Sequence, residues 1–249
     1  MSQRTRVERG VVHHPVFARW YARIADRRTG LTDLRRDMLA GLSGRVIEIG
    51  AGTGANFAHY PRTVAEVVAV EPERTLRQRA LTEAARAGIP VDVVPATAEA
   101  LPVKSEAFDA AVVSLVLCSV RDVQRSLSEL RRVLRPGGEL RFFEHGRSLR
   151  HGPATVQRAL DRTVWPLLMG NCHLARDPLA ELRTAGFTVS TCRRSRILGP
   201  GPALPWTVLG VARPAEEDRR GDADRREGEG RREDEDRRME EGRQDEDGG

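Results

Sequence analysis

The chain has 249 residues, 39% hydrophobic and 31% charged, enough for one α/β domain with a full core plus a polar appendage. Charge is unevenly spread: residues 215–249 carry 16 acidic and 9 basic side chains, net −7, which leaves a body of net +12. No apolar run approaches the roughly 18 residues of a membrane span, no apolar leader opens the chain, and three scattered cysteines make no disulfide framework, so a membrane-spanning or disulfide-stapled secreted protein is excluded and a cytoplasmic one with reduced thiols is predicted.

Residues 15–41 mix apolar and basic positions at helical spacing and predict one or two amphipathic helices, broken near Gly30. Arg45–Ile49 is a short buried strand that ends in Gly-Ala-Gly-Thr-Gly, with a helix expected to begin near Ala55. Glu66–Val70 is a second strand, Glu73–Ala87 a helix stopped by Gly88, and Val91–Val94 a third strand. Phe108–Val116 is a fourth strand, followed by a helix capped at Asp122. Pro136-Gly137-Gly138 predicts a turn that launches the strand Glu139–His145. Residues 153–169 are expected to be helical, and Asp177-Pro178 opens another helix as N-cap and first residue.

Phe187–Cys192 and Leu204–Ala212 close the pattern with no helix between them, so they are expected as an antiparallel hairpin at the sheet edge. Strand–helix alternation with right-handed crossovers gives a doubly wound α/β sheet, and the antiparallel ending separates it from an all-parallel dinucleotide fold. The predicted organisation is an N-terminal helical lid over 1–44, a catalytic domain over 45–213, and a disordered charged tail over 214–249 that lacks apolar periodicity.

The strongest chemical signal is Val-Ile-Glu-Ile-Gly-Ala-Gly-Thr-Gly-Ala-Asn over 46–56. Without Cβ atoms, Gly50, Gly52 and Gly54 allow backbone to approach a ligand and to take positive φ. Glu48, beside the loop, can accept from a cationic amine. Glu71 closes the second strand, 21 residues after Gly50, where a carboxylate can hold ribose hydroxyls. Gly50-x-Gly52-x-x-Ala55 also satisfies a dinucleotide fingerprint, so the glycines alone leave an NAD(P)-dependent oxidoreductase open. Glu48 argues against it, because a carboxylate near a pyrophosphate is repulsive.

Six segments resemble class I S-adenosylmethionine-dependent methyltransferases of the broad family that includes the ubiquinone and menaquinone C-methyltransferases. They are VIEIGAGTGANF, VVAVEP, ATAEALPV, FDAAVVSLVLCSV, LSELRRVLRPGGEL and FFEH, in the family's order over about 45–145. The resemblance implies a seven-stranded Rossmann-like methyltransferase sheet with an antiparallel last strand, and S-adenosyl-L-methionine as cofactor. It places Glu48, Gly50, Gly52, Thr53, Gly54 and Asn56 around the methionine part and Glu71 and Pro72 at the ribose. It puts Thr97, Ala98 and Glu99 beside the adenine, and Ser114 and Leu115 under the cofactor. Thr97 stands where the family usually has Asp, so the adenine loses a charged acceptor there. HPVFARWYARIA, LVLCSVRDV, LRPGGELRFFEH and GNCHLARDPLAELRTAGF resemble the thiol S-methyltransferase branch more closely, over roughly 14–194.

Ligands in open α/β sheets sit beyond the carboxyl ends of the strands. That puts Cys118 after the fourth strand, and Glu144 and His145 after the fifth, near the transferable methyl. His145 is the candidate catalytic base, since imidazole titrates near neutrality, and its alternative is a structural histidine bonded to backbone. Cys118 is expected as core filler. Cys172-His173 sits in a loop that the thiol branch resemblance makes a substrate lid over Asn171–Arg176. No C-x-x-C or H-x-x-x-H spacing occurs, so no metal is expected. His13 and His14 are expected to be exposed, and Phe17, Trp20 and Tyr21 to pack on the sheet or cap the acceptor pocket. The basic body raises a cofactor-binding module on nucleic acid as an alternative, but 40 of its chain's 41 basic residues are Arg, with no block of five, which reads as solvated surface. The expected partner is a small-molecule methyl acceptor.

Overall fold

The computed structural model describes residues 31–195 and 206–215. Its elements are α1 (Thr32–Leu39), β1 (Gly44–Ile49), β2 (Val64–Val70), α2 (Arg74–Ala84), β3 (Val91–Val94), β4 (Phe108–Ser114), α3 (Val123–Val133), β5 (Leu134–Gly146), α4 (His151–Asp161), α5 (Trp165–Leu168), α6 (Pro178–Thr184), β6 (Phe187–Ser195) and β7 (Trp206–Pro214). The chain divides into units 1–213 and 214–249. The expectations for His13, His14, Phe17, Trp20, Tyr21 and for the tail from 216 on lie outside the described residues.

Seven strands form one sheet in the order β3-β2-β1-β4-β5-β7-β6. β1 pairs in parallel with β2 and β4, and β7 runs antiparallel to β5. The order reverses direction between β1 and β4, so the loops leaving those two strands flank the switch point where α/β sheets bind ligands. Side chains alternate across the sheet with period two. Val46, Val67, Ala69, Ala110 and Val112 join a core with Met38 and Leu39 of α1, while Ile47, Ile49, Ala111 and Val113 join a second with Leu127 and Leu130 of α3.

Helix ends follow their caps. Glu73 accepts from the Leu76 N–H at 2.7 Å, Asp122 from Arg125 at 2.9 Å, and Asp177 from Ala180 at 3.2 Å. In α3, Val123, Leu127, Leu130 and Val133 form one buried stripe, and Arg131 and Arg132 sit in the last turn.

Several expectations are corrected. No α-helix begins at Ala55. Gly52 and Gly54 hold φ of 58° and 82°, outside right-handed helix space, and the stretch closes through i→i+3 bonds into turns and a 3₁₀ turn at Phe57–His59. The Pro136-Gly137-Gly138 turn does not precede β5 but lies inside it as an irregularity: Phe108 pairs with Leu134, and Ala110 with Glu139. The helix expected over 153–169 is split. Thr163 bonds back to Ala159 and Leu160, Pro166 supplies no N–H, and Asp161 instead accepts from Leu174 and Ala175. In the described part of the stretch expected as a lid, Met38 and Leu39 of α1 pack in a core with the sheet residues Val46 and Val67. Among the described residues no helix is long and apolar enough to cross a membrane.

Candidate active site

The glycine loop leaves β1 and is fastened to the end of β2, because the Gly50 and Ala51 N–H groups both donate to the Val70 carbonyl at 2.8 and 3.1 Å. Gly50 has φ of 66°, and a Cβ there would stand 2.5 Å from Val116 Cγ2. A side chain is therefore excluded twice, by backbone conformation and by the wall of the neighbouring β4 loop. Gly54, at φ of 82°, has its Cβ position 2.7 Å from the Phe57 ring.

Two buried carboxylates brace this loop. Glu71 accepts from the Gly52 N–H and the Glu73 N–H, both at 2.8 Å, one on each oxygen. Glu48, 1% exposed, accepts from Asn56 Nδ2 and from the Tyr60 hydroxyl, both at 2.8 Å. Burial pushes each carboxyl up to about 7, against the bonds that favour its charge. Tyr60 is also pushed up, by burial and by Glu48. Glu48, expected to accept from a ligand amine, already holds a loop side chain on each oxygen. Tyr60 was not singled out, and nothing local marks it, since its partner lies 12 residues upstream on a strand.

These residues fit S-adenosylmethionine. Each Glu71 oxygen keeps a lone pair beyond its single backbone bond, room for the two hydroxyls of a ribose. Asn56 Oδ1 is buried and lacks a hydrogen-bond partner, an acceptor awaiting a donor such as an ammonium. Thr53 is buried in the same loop. Pro72 follows Glu71, and their two carbonyls accept from Arg77.

After β3, Thr97 and Ala100 form an isolated bridge, with Ala98 buried between them. The Glu99 carboxylate is used by the protein, accepting from the Arg121 and Asp122 N–H groups. Ser114 ends β4, and Leu115 turns the chain at φ of 59°, its N–H donating to the Phe143 carbonyl at 2.7 Å. A leucine in left-handed space is strained, and the cost is borne where β4 enters the site.

Beyond β4 and β5 the loops are stitched together. Glu144 is fully buried, and one of its oxygens accepts from the Val116 and Leu117 N–H groups at 2.7 and 2.9 Å. Burial raises its carboxyl above the usual range. Arg176 donates to the Leu117 and Val120 carbonyls, Asn171 Nδ2 to the Ser119 carbonyl, and the His173 N–H to the Cys118 carbonyl. The Asn171–Arg176 stretch is thus a wall bonded to 117–120. His145, 6% exposed, places Nε2 3.0 Å from Cys172 Sγ, and its Nδ1 is buried without a partner. Cys118 Sγ joins them: the three ligand-type atoms lie within 4.8 Å of one another. The hydrogen bond with Cys118 and burial push the Cys172 thiol up. Sequence spacing kept these three residues apart; the fold brings them together. A separate hollow of about 360 Å³, lined by Asp37, Arg141, Cys192 and Arg193 among others, includes none of the glycine-loop residues.

The family described as "Methyltransferase domain" matches residues 47–142. The thiol S-methyltransferase TMT1B of Mus musculus is 33% identical over 176 residues, 69% of this chain and 71% of that protein. The ubiquinone/menaquinone biosynthesis C-methyltransferase UbiE of Syntrophotalea carbinolica is 34% identical over 149 residues, 58% of this chain and 62% of that protein. Among solved structures, the YcgJ protein of Bacillus subtilis superposes with a TM-score of 0.60 at 15% identity, over 76% of this chain and 100% of that one.

Proposed function

This chain belongs to the class I S-adenosylmethionine-dependent methyltransferases, and we propose from that premise that the small molecule it methylates is a thiol. The observation that carries this reading is the similarity to a thiol S-methyltransferase, 33% identical over 176 residues. A relative named as a C-methyltransferase matches over 149 residues at 34% identity, covering 58% of this chain against 69% for the thiol S-methyltransferase.

When bound, the cofactor supplies a methyl group on a positively charged sulfur. The chain's own residues bind, orient and exclude water. In this proposal Glu71 accepts from the ribose hydroxyls and Asn56 Oδ1 takes the ammonium. Glu48 acts through Asn56, holding its Nδ2 so that Oδ1 faces the ligand. Gly50, Gly52, Thr53 and Gly54 give the methionine part its backbone cradle, with Pro72 closing the ribose side. Thr97, Ala98 and Glu99 flank the adenine, and Ser114 and Leu115 form the floor.

The acceptor end supports a nucleophile that needs little help losing its proton. Glu144, the carboxylate there, gives one oxygen to the Val116 and Leu117 amides, and its other oxygen is buried without a partner. A thiol with a pKa near 8.5 already has a thiolate fraction at neutral pH. In this reading His145 takes the remaining proton. The test is turnover of a small alkyl thiol against a matched phenol from pH 6 to 9. The expected result is methylation of the thiol, rising with pH; an inert thiol beside an active phenol would overturn the thiol reading.

A further inference from the structure

Cys118, His145 and Cys172 come from three separate places: the loop after β4, the end of strand β5, and the loop after α5. The two Sγ atoms and an imidazole nitrogen lie within 4.8 Å of one another, with Nε2 3.0 Å from Cys172 Sγ, Cys118 and His145 buried and Cys172 half-buried. We propose that these three side chains are a binding site for a soft divalent metal of the zinc class, at the acceptor side of the methyl-transfer site.

The donor set supports that choice. Two sulfurs and one imidazole nitrogen suit zinc, whereas magnesium and calcium take oxygen. In a tetrahedral zinc shell with bonds of about 2.3 Å to sulfur and about 2.0–2.1 Å to nitrogen, neighbouring ligand atoms stand roughly 3.4–3.8 Å apart. The group here needs adjustments of about 1 Å or less to meet that.

The supporting bonds favour preorganisation. His173 N–H on the Cys118 carbonyl, Asn171 on the Ser119 carbonyl and Arg176 on the Leu117 and Val120 carbonyls tie the Cys172 loop to the Cys118 loop. Glu144 fixes the start of the same loop through Val116 and Leu117, one residue before His145. Two thiols and an imidazole gain little from one another as hydrogen-bond partners, since sulfur is a weak donor and acceptor. As ligands, each thiol would release its proton to water and each sulfur would form a bond to the metal, with no change of oxidation state.

Three protein ligands leave a fourth position open, the pattern of reactive rather than structural zinc. That this position takes the acceptor's sulfur rests on the thiol reading above; the site itself does not. With metal bound, His145 Nε2 is a ligand, and the acceptor's proton leaves to water instead of to the imidazole.

The full chain, stripped of metal and kept reduced, is titrated with Co²⁺ in the absence of cofactor and acceptor. One equivalent should bind with a thiolate-to-cobalt charge-transfer band and tetrahedral visible bands. C118S, C172S and H145A should each weaken binding by at least the roughly 100-fold that loss of an outer-shell partner already costs, while C192S, whose thiol is exposed and outside the group, should bind like the parent. Melting curves identify any variant that fails to fold, and the half-buried Cys172 gives the substitution best tolerated. No binding by the parent, or equal binding by a folded C172S, overturns the site. A small alkyl thiol added to the cobalt form should shift the visible bands. Unshifted bands with thiol turnover intact in the metal-stripped enzyme would remove the metal from catalysis and leave the thiol reading standing.

Discussion

At the glycine loop, the bracing contacts stay within one β-loop-β stretch: Glu71 holds the Gly52 amide, and Glu48 holds the Asn56 and Tyr60 side chains, all between residues 48 and 71. Around the acceptor, the partners are remote: Glu144 reaches back to Val116 and Leu117, Arg176 reaches 59 residues to Leu117, and Cys172 meets His145 and Cys118. The first half is a local device that any chain with this glycine loop can build. The second exists only if β4, β5 and the loop after α5 arrive together. That difference explains how one family keeps its cofactor while its members methylate thiols in one case and carbon in another.

The largest effect should come from Gly50→Ala. A left-handed alanine costs about 1–2 kcal/mol before its Cβ meets Val116, so S-adenosylhomocysteine affinity should fall by more than about 100-fold. Partial recovery in G50A/V116A would assign the excess to the contact; retention of affinity in G50A alone would mean the loop can rebuild itself.

Next is Glu71→Ala. Loss of a charge-assisted bond worth roughly 1.5–3 kcal/mol should weaken S-adenosylhomocysteine by about 10- to 100-fold in calorimetry. Unchanged affinity would mean the carboxylate serves only Gly52 and Glu73.

A smaller effect is expected from pH. Glu48 and Glu71 titrate at about 7 in the folded protein against an ordinary value of 4.5. Each binds its proton more tightly folded than unfolded, so the stabilisation it gives is full below 4.5 and is lost as pH rises through 7. A ligand whose hydroxyls donate to ionised Glu71 runs the other way. Affinity for S-adenosylhomocysteine should rise about 10-fold between pH 6 and 8 while the unliganded protein's melting temperature falls. An affinity independent of pH would place no ribose hydroxyl on Glu71.

The smallest effect on the cofactor belongs to the acceptor half. His145→Ala should change S-adenosylhomocysteine affinity by no more than about 2-fold while lowering turnover, since the side-chain partner of its ring, Cys172, is not a glycine-loop residue. Coupled loss of both would erase the division between the halves.

The sequence alone determined the sheet, its glycine loop and the capped helices. Period-two apolar strands, the three glycines and Glu71 at the next strand's end are local patterns whose geometry follows from backbone rules, so β1, β2, β3 and the capped helices fall where spacing puts them. Tertiary structure alone decided three things. It turned Glu48 inward, because a carboxylate 1% exposed needs donors and Asn56 and Tyr60 supply them. It replaced the expected helix at Ala55 with turns, because the loop's left-handed glycines and its bonds to β2 outweigh local helix periodicity. It gathered Cys118, His145 and Cys172, whose separations match no ligand spacing, because ligand motifs read from sequence assume one helix or one turn, whereas a strand-end site is assembled from loops that meet only when the sheet is built.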